Sequence, residues 1–188
     1  MVGDTEVAAD LAERAFWLVV RAVAQDQRLG FARVYRMSDV SSAAWQAFTI
    51  VPYGAVLHLP AGWEALPPVP ANGPEILRAT GGLGRNLIVF KVPANGKTAA
   101  QVADVAQEKL AAHGYDDFTR AEATFAGRPG VALDFVARRS SSGAVTYRTR
   151  EYFAVRGNAA FVLGMGSATW EEHRPLIEQI AGRFELAE

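Results

Sequence analysis

The sequence predicts an α+β fold in which helices cover an antiparallel sheet. Three observations carry this. From Ala47 onward, short stretches of alternating apolar and polar residues are separated by turns rich in Gly, Pro and Ser. These strands follow one another along the chain with helical stretches between them, the arrangement of an antiparallel sheet under helices. No period of roughly 20–50 residues recurs, which argues against a solenoid.

Residues 5–28 read as an amphipathic helix. Asp4 or Thr5 can cap it. Ala8, Ala12, Ala15, Phe16, Val19 and Val23 recur at helical spacing, with Asp10, Arg14, Arg21 and Arg28 on the other side, and Gly30 ends it. Phe31–Arg36 alternates like a short strand, and Ser38 or Asp39 could cap a helical turn through Trp45. Residues 1–46 are therefore read as an N-terminal helical extension and residues 47–188 as the sandwich domain.

Ala47–Val51 and Ala55–Leu59 read as strands around Pro52-Tyr53-Gly54, and Pro60-Ala61-Gly62-Trp63 closes the second. Glu75–Thr80 and Asn86–Val92 read as a hairpin around Gly81-Gly82-Leu83-Gly84. A helix follows from Thr98, with Gln101 at the capping-box position; it should bury Val102, Val105, Ala106 and Leu110 and stop at Gly114. Thr119–Phe125, Gly130–Arg138 and Val145–Val155 read as longer strands, and Asn158–Ser167 as an apolar, central one. The last helix should begin at Thr169, with Glu172 at the capping-box position. Pro175 donates no hydrogen bond, so a first turn, a break and then a helix to Arg183 are expected.

Order and pattern together resemble a known superfamily. Leu59-Pro60-Ala61-Gly62-Trp63 ends a strand, and Thr98 opens a helix after a hairpin. Phe125-Ala126-Gly127-Arg128-Pro129-Gly130 leads into an apolar strand. Gly166-Ser167 runs into Trp170-Glu171-Glu172, and Ile180-Ala181-Gly182-Arg183-Phe184 follows. Over about residues 47–186 this resembles the PsbP-like α/β/α sandwich superfamily of PsbP, DcrB and LpqN type. The resemblance implies an antiparallel sheet of about six strands between helices. It also implies a binding or assembly role: some bacterial members are adaptors that shield hydrophobic helices of type VI secretion effectors, and others are membrane-attached lipoproteins. The lipoprotein cysteine of the LpqN type is missing from this sequence.

Composition excludes several functions. The chain has 188 residues, 50% of them hydrophobic, and a net charge of −1. It is long enough to bury roughly 70% of its unfolded surface as one domain. The charge balance argues against a general nucleic-acid binder, which would carry a basic excess. Cysteine is absent, which excludes disulfides, thiolate catalysis and Cys-ligated zinc. Phe16–Ala24 follows four acidic residues and is broken by Arg21, so it is not read as a secretion signal and is too short to span a bilayer. A cytoplasmic location is expected as written; a signal removed ahead of residue 1 would make it extracytoplasmic.

No catalytic, cofactor or metal set is read. His58, His113 and His173 share no metal-ligand spacing, and no Gly-x-Ser-x-Gly elbow occurs. Asp116-Asp117 and Glu171-Glu172 are adjacent pairs whose side chains diverge on a strand or a helix. Gly81–Asn86 has the glycines of a phosphate loop, but a strand follows it, so no helix N-terminus is offered. The hairpin carrying Arg138, Arg139, Arg148 and Arg150, with Tyr152 on the face of the last two, is the candidate interaction surface. Its alternative is a charged edge that resists aggregation. Trp63 and Trp170 are candidate anchors on that surface or, on the resemblance, covers for the ends of the core. The functional reading is a non-enzymatic binding or adaptor module for a protein partner or a second copy. The rival reading is a small-molecule or lipid-binding protein.

Overall fold

A computed structural model describes residues 44–69, 74–82, 85–138 and 146–187. The expected helix over 5–28, the strand over 31–36 and the caps at Ser38 or Asp39 lie outside these residues, as do Arg139 and Ser140–Ser142. In chain order the described elements are β1 (Trp45–Ile50), a 3₁₀ turn (Val51–Tyr53), β2 (Ala55–Pro60), β3 (Glu64–Leu66), β4 (Glu75–Thr80) and β5 (Asn86–Pro93). Then come α1 (Ala99–Ala112), β6 (Tyr115–Phe125), β7 (Arg128–Arg138), β8 (Thr146–Arg156), β9 (Ala159–Ser167), α2 (Trp170–Gly182) and β10 (Glu185–Leu186).

The main sheet has seven strands in the order β3-β4-β5-β9-β8-β7-β6, every neighbouring pair antiparallel. Six of these are the strands that alternation marks; the seventh is the three-residue β3. β9 lies in the middle, as its apolar sequence requires. A second sheet, β1-β2-β10, packs beside α2. The β6–β7 hairpin closes on Ala126 and Gly127, both at positive φ (55° and 68°), the backbone of the hairpin turn that matches strand twist. Just beyond it, a methyl group on Gly130 would drive into the backbone carbonyl oxygen of Phe153.

Two cores form, one on each face of the main sheet. On one face, Ile88, Phe90, Leu133, Phe135, Phe153 and Val162 pack against Ala103, Ala106 and Leu110 of α1. On the other, Leu87, Phe161, Leu163 and Met165 meet Leu57 and Leu59 of β2, Leu176, Ile177 and Ile180 of α2, and Phe184. Phe125 and Phe184 stack there with centroids 5.0 Å apart.

Local chemistry sets the helix starts. Thr98 and Gln101 form the complete capping box at α1. Helix α2 corrects three expectations. It is continuous through Pro175, which lies six residues in and removes one helical hydrogen bond; burial of Leu176, Ile177 and Ile180 holds the helix together across that position. Thr169 makes no side-chain cap with Glu172. Its backbone N–H donates to Ser167 Oγ (3.0 Å) instead. Gly182, not Arg183, is the last helical residue, because β10 must turn back to β2. Elsewhere, Trp45 belongs to β1, paired with Pro60, and not to a helical turn. Val105 is exposed on the solvent face of α1, and Ala103 takes the buried place.

Four polar side chains are buried among the described residues, Glu75, Thr149, Glu151 and Ser167, and of the two carboxylates Glu151 lies the deeper, among the sheet's apolar neighbours and without an ion pair there. Glu151 stands on the α1 face of β8, opposite Leu133 of β7 and Gly164 of β9. It is 3% exposed. Its Oε2 makes no hydrogen bond among the described residues. Burial pushes its carboxyl up to about 8. The Tyr115 hydroxyl is in turn raised to about 12, by burial first and then by the Glu151 charge.

Two expectations follow. Gly130→Ala should cost about 2 kcal/mol or more, because backbone and not a flexible side chain must move; urea unfolding measures it. Because Glu151 holds its proton in the fold up to about pH 8 and releases it near the ordinary value of about 4.3 when unfolded, the folded chain binds more protons between these values. Its contribution is therefore fully present below about pH 4 and lost as pH rises through 8, on the order of 5 kcal/mol. Glu151→Gln should flatten the fall in Tm between pH 5 and 8. An unchanged slope would remove Glu151 as its cause.

Candidate interaction surface

Strand β6 forms one border of the main sheet and pairs only with β7 among the described residues. Its ends pack on the cores through Tyr115, Phe118, Ala123 and Phe125, while its middle, Thr119–Glu122, carries Thr119 on one face and Arg120 and Glu122 on the other and stays outside them. A bulge between Asp116 and Thr119, with Asp117 at φ 56°, interrupts the ladder, which resumes at Asp116–Val136 and Tyr115–Ala137, and the Ala126-Gly127 turn closes it at the other end. Thr119–Glu122 are all exposed.

Register assigns the faces. Arg120 lies opposite Leu133 and Glu122 opposite Val131, on the α1 side; Ala121 lies opposite Ala132 and Ala123 opposite Gly130, on the α2 side. Arg120 Nη1 reaches Asp104 Oδ1 of α1 at 2.7 Å. A groove of about 820 Å³ runs on the α1 side, between Thr98–Ala100 and Arg120–Thr124. A smaller one, about 250 Å³, runs on the α2 side, floored by Ala121 and Ala132 and walled by Asp134, Arg150 and Glu178.

Arg150 is fixed in place by the structure. Its Nε and Nη2 donate to the two oxygens of Asp134, both at 2.6 Å, and its Nη1 donates to Glu178 Oε1 at 2.9 Å. Its guanidinium lies 5.4 Å from the Trp170 ring centre and 5.9 Å from that of Tyr152. The Asp134 hydrogen bonds hold it well above the usual arginine range, against an opposing effect of burial. This fork joins β7, β8 and α2. Arg148 donates to Asp117 Oδ2 (2.9 Å), linking β8 to the β6 bulge. Tyr152 is buried, and burial raises its hydroxyl above the ordinary value. Trp63 and Trp170 are 9% and 8% exposed, so both cover the core; Trp63 lies flat on Gly81, where a Cβ would strike its ring. Arg138 is the last residue of β7.

The groups with chemical potential are held in local contacts. Ser167 Oγ and His173 Nδ1 are 2.7 Å apart. Ser167 is 2% exposed. The space beside the pair, among Trp63, Arg85 and Ile177, is about 10 Å³, one water's worth at most. Burial first, and then Arg85, hold His173 below the usual imidazole range. His58 Nε2 meets Glu185 Oε1 at 3.1 Å, joining β2 to β10. His113 Nδ1 lies 3.1 Å from Lys109 O at the end of α1. In the glycine-rich hairpin, Arg85 turns back to donate to the carbonyls of Gly81 and Gly82, filling the turn with its own guanidinium. Among the described residues no group of three His, Asp or Glu is placed to hold a metal, and no helix is long and apolar enough to cross a membrane.

Sequence reasoning placed Arg148 and Arg150 on one face and read Thr119–Phe125 as a strand, but missed the acids Asp117, Asp134 and Glu178 and did not single out β6 as a border. The signal for the border was there, in Arg120 and Glu122 on one face and Thr119 on the other. Truncating Arg150 to Ala should destabilise by about 3 kcal/mol, since Asp134, 15% exposed, is left without its fork; urea unfolding reads the loss, and a cost below about 1 kcal/mol would show the fork to be incidental.

No family model matches the chain, and no curated protein matches it. Solved structures do. The solution structure of cyanobacterial PsbP (CyanoP) from Synechocystis sp. PCC 6803 aligns over 82% of this chain and 99% of its own, at 14% identity and a TM-score of 0.58. The Saccharomyces cerevisiae Ran-binding protein Mog1p aligns over 78% and 86%, at 12% identity and a TM-score of 0.51. LpqN, a Mycobacterium tuberculosis protein involved in cell envelope biogenesis, aligns over 90% and 97%, at 14% identity and a TM-score of 0.44. A seven-stranded antiparallel sheet between α1 on one face and α2 with a small sheet on the other is thus the PsbP-like fold.

Proposed function

We propose that this chain is a non-catalytic protein-contact module, of binding or assembly type, that works through the outer edge of β6, which no other strand pairs among the described residues. The observation that carries the reading is an eleven-residue border strand with grooves along both of its faces. An unpaired edge offers a row of backbone donors and acceptors to an added strand, and the flanking grooves receive that strand's alternate side chains. The arginine hairpin borders this edge, with Arg148 reaching the β6 bulge through Asp117. Support also comes from the chemistry of the rest: the serine, histidine and buried arginine groups are engaged in holding elements together. The yeast neighbour is a Ran-binding protein, which favours a contact role for this fold without naming a partner here. A ligand-binding reading has less support, because the larger groove runs along exposed residues of an edge strand.

The test is a comparison of three full-length proteins by native mass spectrometry and affinity capture: the wild type, Ala121→Lys on the edge, and Val51→Lys. Val51 is 78% exposed in the 3₁₀ turn between β1 and β2, away from β6. The edge variant should weaken association about ten-fold, ~1.4 kcal/mol, while the Val51 variant keeps it. Equal behaviour of both variants, or loss only with Val51→Lys, would refute the β6 reading.

A further inference from the structure

The sequence of the β6 edge specifies what it accepts. We infer that the occupant is a second copy of this chain, paired β6 to β6 in antiparallel fashion about a two-fold axis at Ala121. This rests on the edge-contact reading above.

Two identical antiparallel strands related by a two-fold place opposite each other residues whose numbers have a constant sum. Centred on Ala121, the register sets Arg120 against Glu122 of the second copy, and symmetry repeats the pair. Thr119 then meets Ala123, and Ala121 meets itself. Arg120 and Glu122 share the α1 face of β6, so both ion pairs form on that side. Thr119, Ala121 and Ala123 share the other face; they are small enough to let strands approach to the ordinary spacing of about 4.8 Å. Neighbouring registers are worse. Centring on Arg120 sets arginine against arginine, and centring on Glu122 sets glutamate against glutamate, each destabilising when directly opposed. The edge therefore discriminates between its own registers.

The charges within one copy leave this pairing open. Arg120 is engaged with Asp104, but a guanidinium carries five donors and can bridge a second carboxylate. Glu122 is exposed and has no ion pair among the described residues. One copy thus presents an unmatched carboxylate two positions from a cation with donors to spare, the pattern that a two-fold completes. The bulge at Asp117 bends the strand away beyond Thr119, which limits the contact to a short, closed ladder and not an open stack.

The chain has no cysteine, so a single introduced thiol reports position without interference. Directly opposed residues in an antiparallel pair have Cα atoms about 4.5–5.5 Å apart, within disulfide reach. Full-length Ala121→Cys should cross-link to a dimer on oxidation, whereas Val51→Cys should not. The wild type should sediment at twice the 20.2 kDa chain mass. Glu122→Arg and Arg120→Glu should each weaken self-association at least ten-fold. An equimolar mixture of the two should recover it, because every opposed pair in the mixed dimer is then Arg with Glu. Circular dichroism checks that these exposed-site variants stay folded. The inference is overturned if the wild type sediments as a monomer at ~100 μM, an association with a Kd weaker than about that concentration, if Val51→Cys cross-links as readily as Ala121→Cys, or if the mixture stays monomeric. The two ideas separate cleanly. A monomeric wild type whose protein partner is lost with Ala121→Lys and kept with Val51→Lys sinks the dimer and leaves the edge reading standing. A monomer indifferent to both variants sinks both.

Discussion

Burial of both faces of the central strands is the constraint on which the rest of this structure depends. β5, β8 and β9 lie between α1 on one side and α2 with the small sheet on the other. Side chains of either parity on these strands therefore enter a core, and β9 is buried at every position after Ala159. Distance from that centre explains the character of the borders. Among the described residues β6 has one neighbour and exposes Thr119–Glu122, and β3 is only three residues long. The proposed contact surface lies where the double burial stops.

Charge within this frame serves position. Arg150 sits beneath α2 because Asp134 and Glu178 satisfy three of its donors while Tyr152 and Trp170 offer it their rings. Breaking the fork leaves a half-buried carboxylate, so its three members depend on one another. Glu151 obeys the opposite logic. It has no such partner, and its answer to burial is to keep its proton. Adjacent residues on one strand, facing opposite cores, thus show the two ways in which an ionisable group can be accommodated away from water.

Much of the fold was legible in the sequence. The capping box at Thr98 and Gln101, the Asn86–Val92 strand and the central place of β9 follow from local chemistry and period alone. What was not legible depended on distant chain. β10 has two residues and exists only because β2 offers an edge. β3 is too short to show a period. Continuity of α2 through Pro175 rests on burial against β2 and the main sheet, which a proline rule cannot see. The candidate surface was half legible: parity put Arg148 and Arg150 together, but only the register of β7 and the position of α2 revealed that Asp134 and Glu178 were waiting for Arg150.

The small sheet carries a consequence for the order of events during synthesis. β1 and β2 form a hairpin from neighbouring residues, but the other edge of β2 is closed by β10, and His58 meets Glu185 across 127 positions. Arg156 fastens the same corner, donating to the carbonyls of Tyr53 and Ala187. Until translation passes residue 187, that corner stays open, with Leu57 and Leu59 lacking Phe184 above them. Contacts of such long sequence separation form late. A growing chain therefore holds Leu57 and Leu59 without their cover until Phe184 has emerged, which makes the β2 corner one of the last parts of this fold to close.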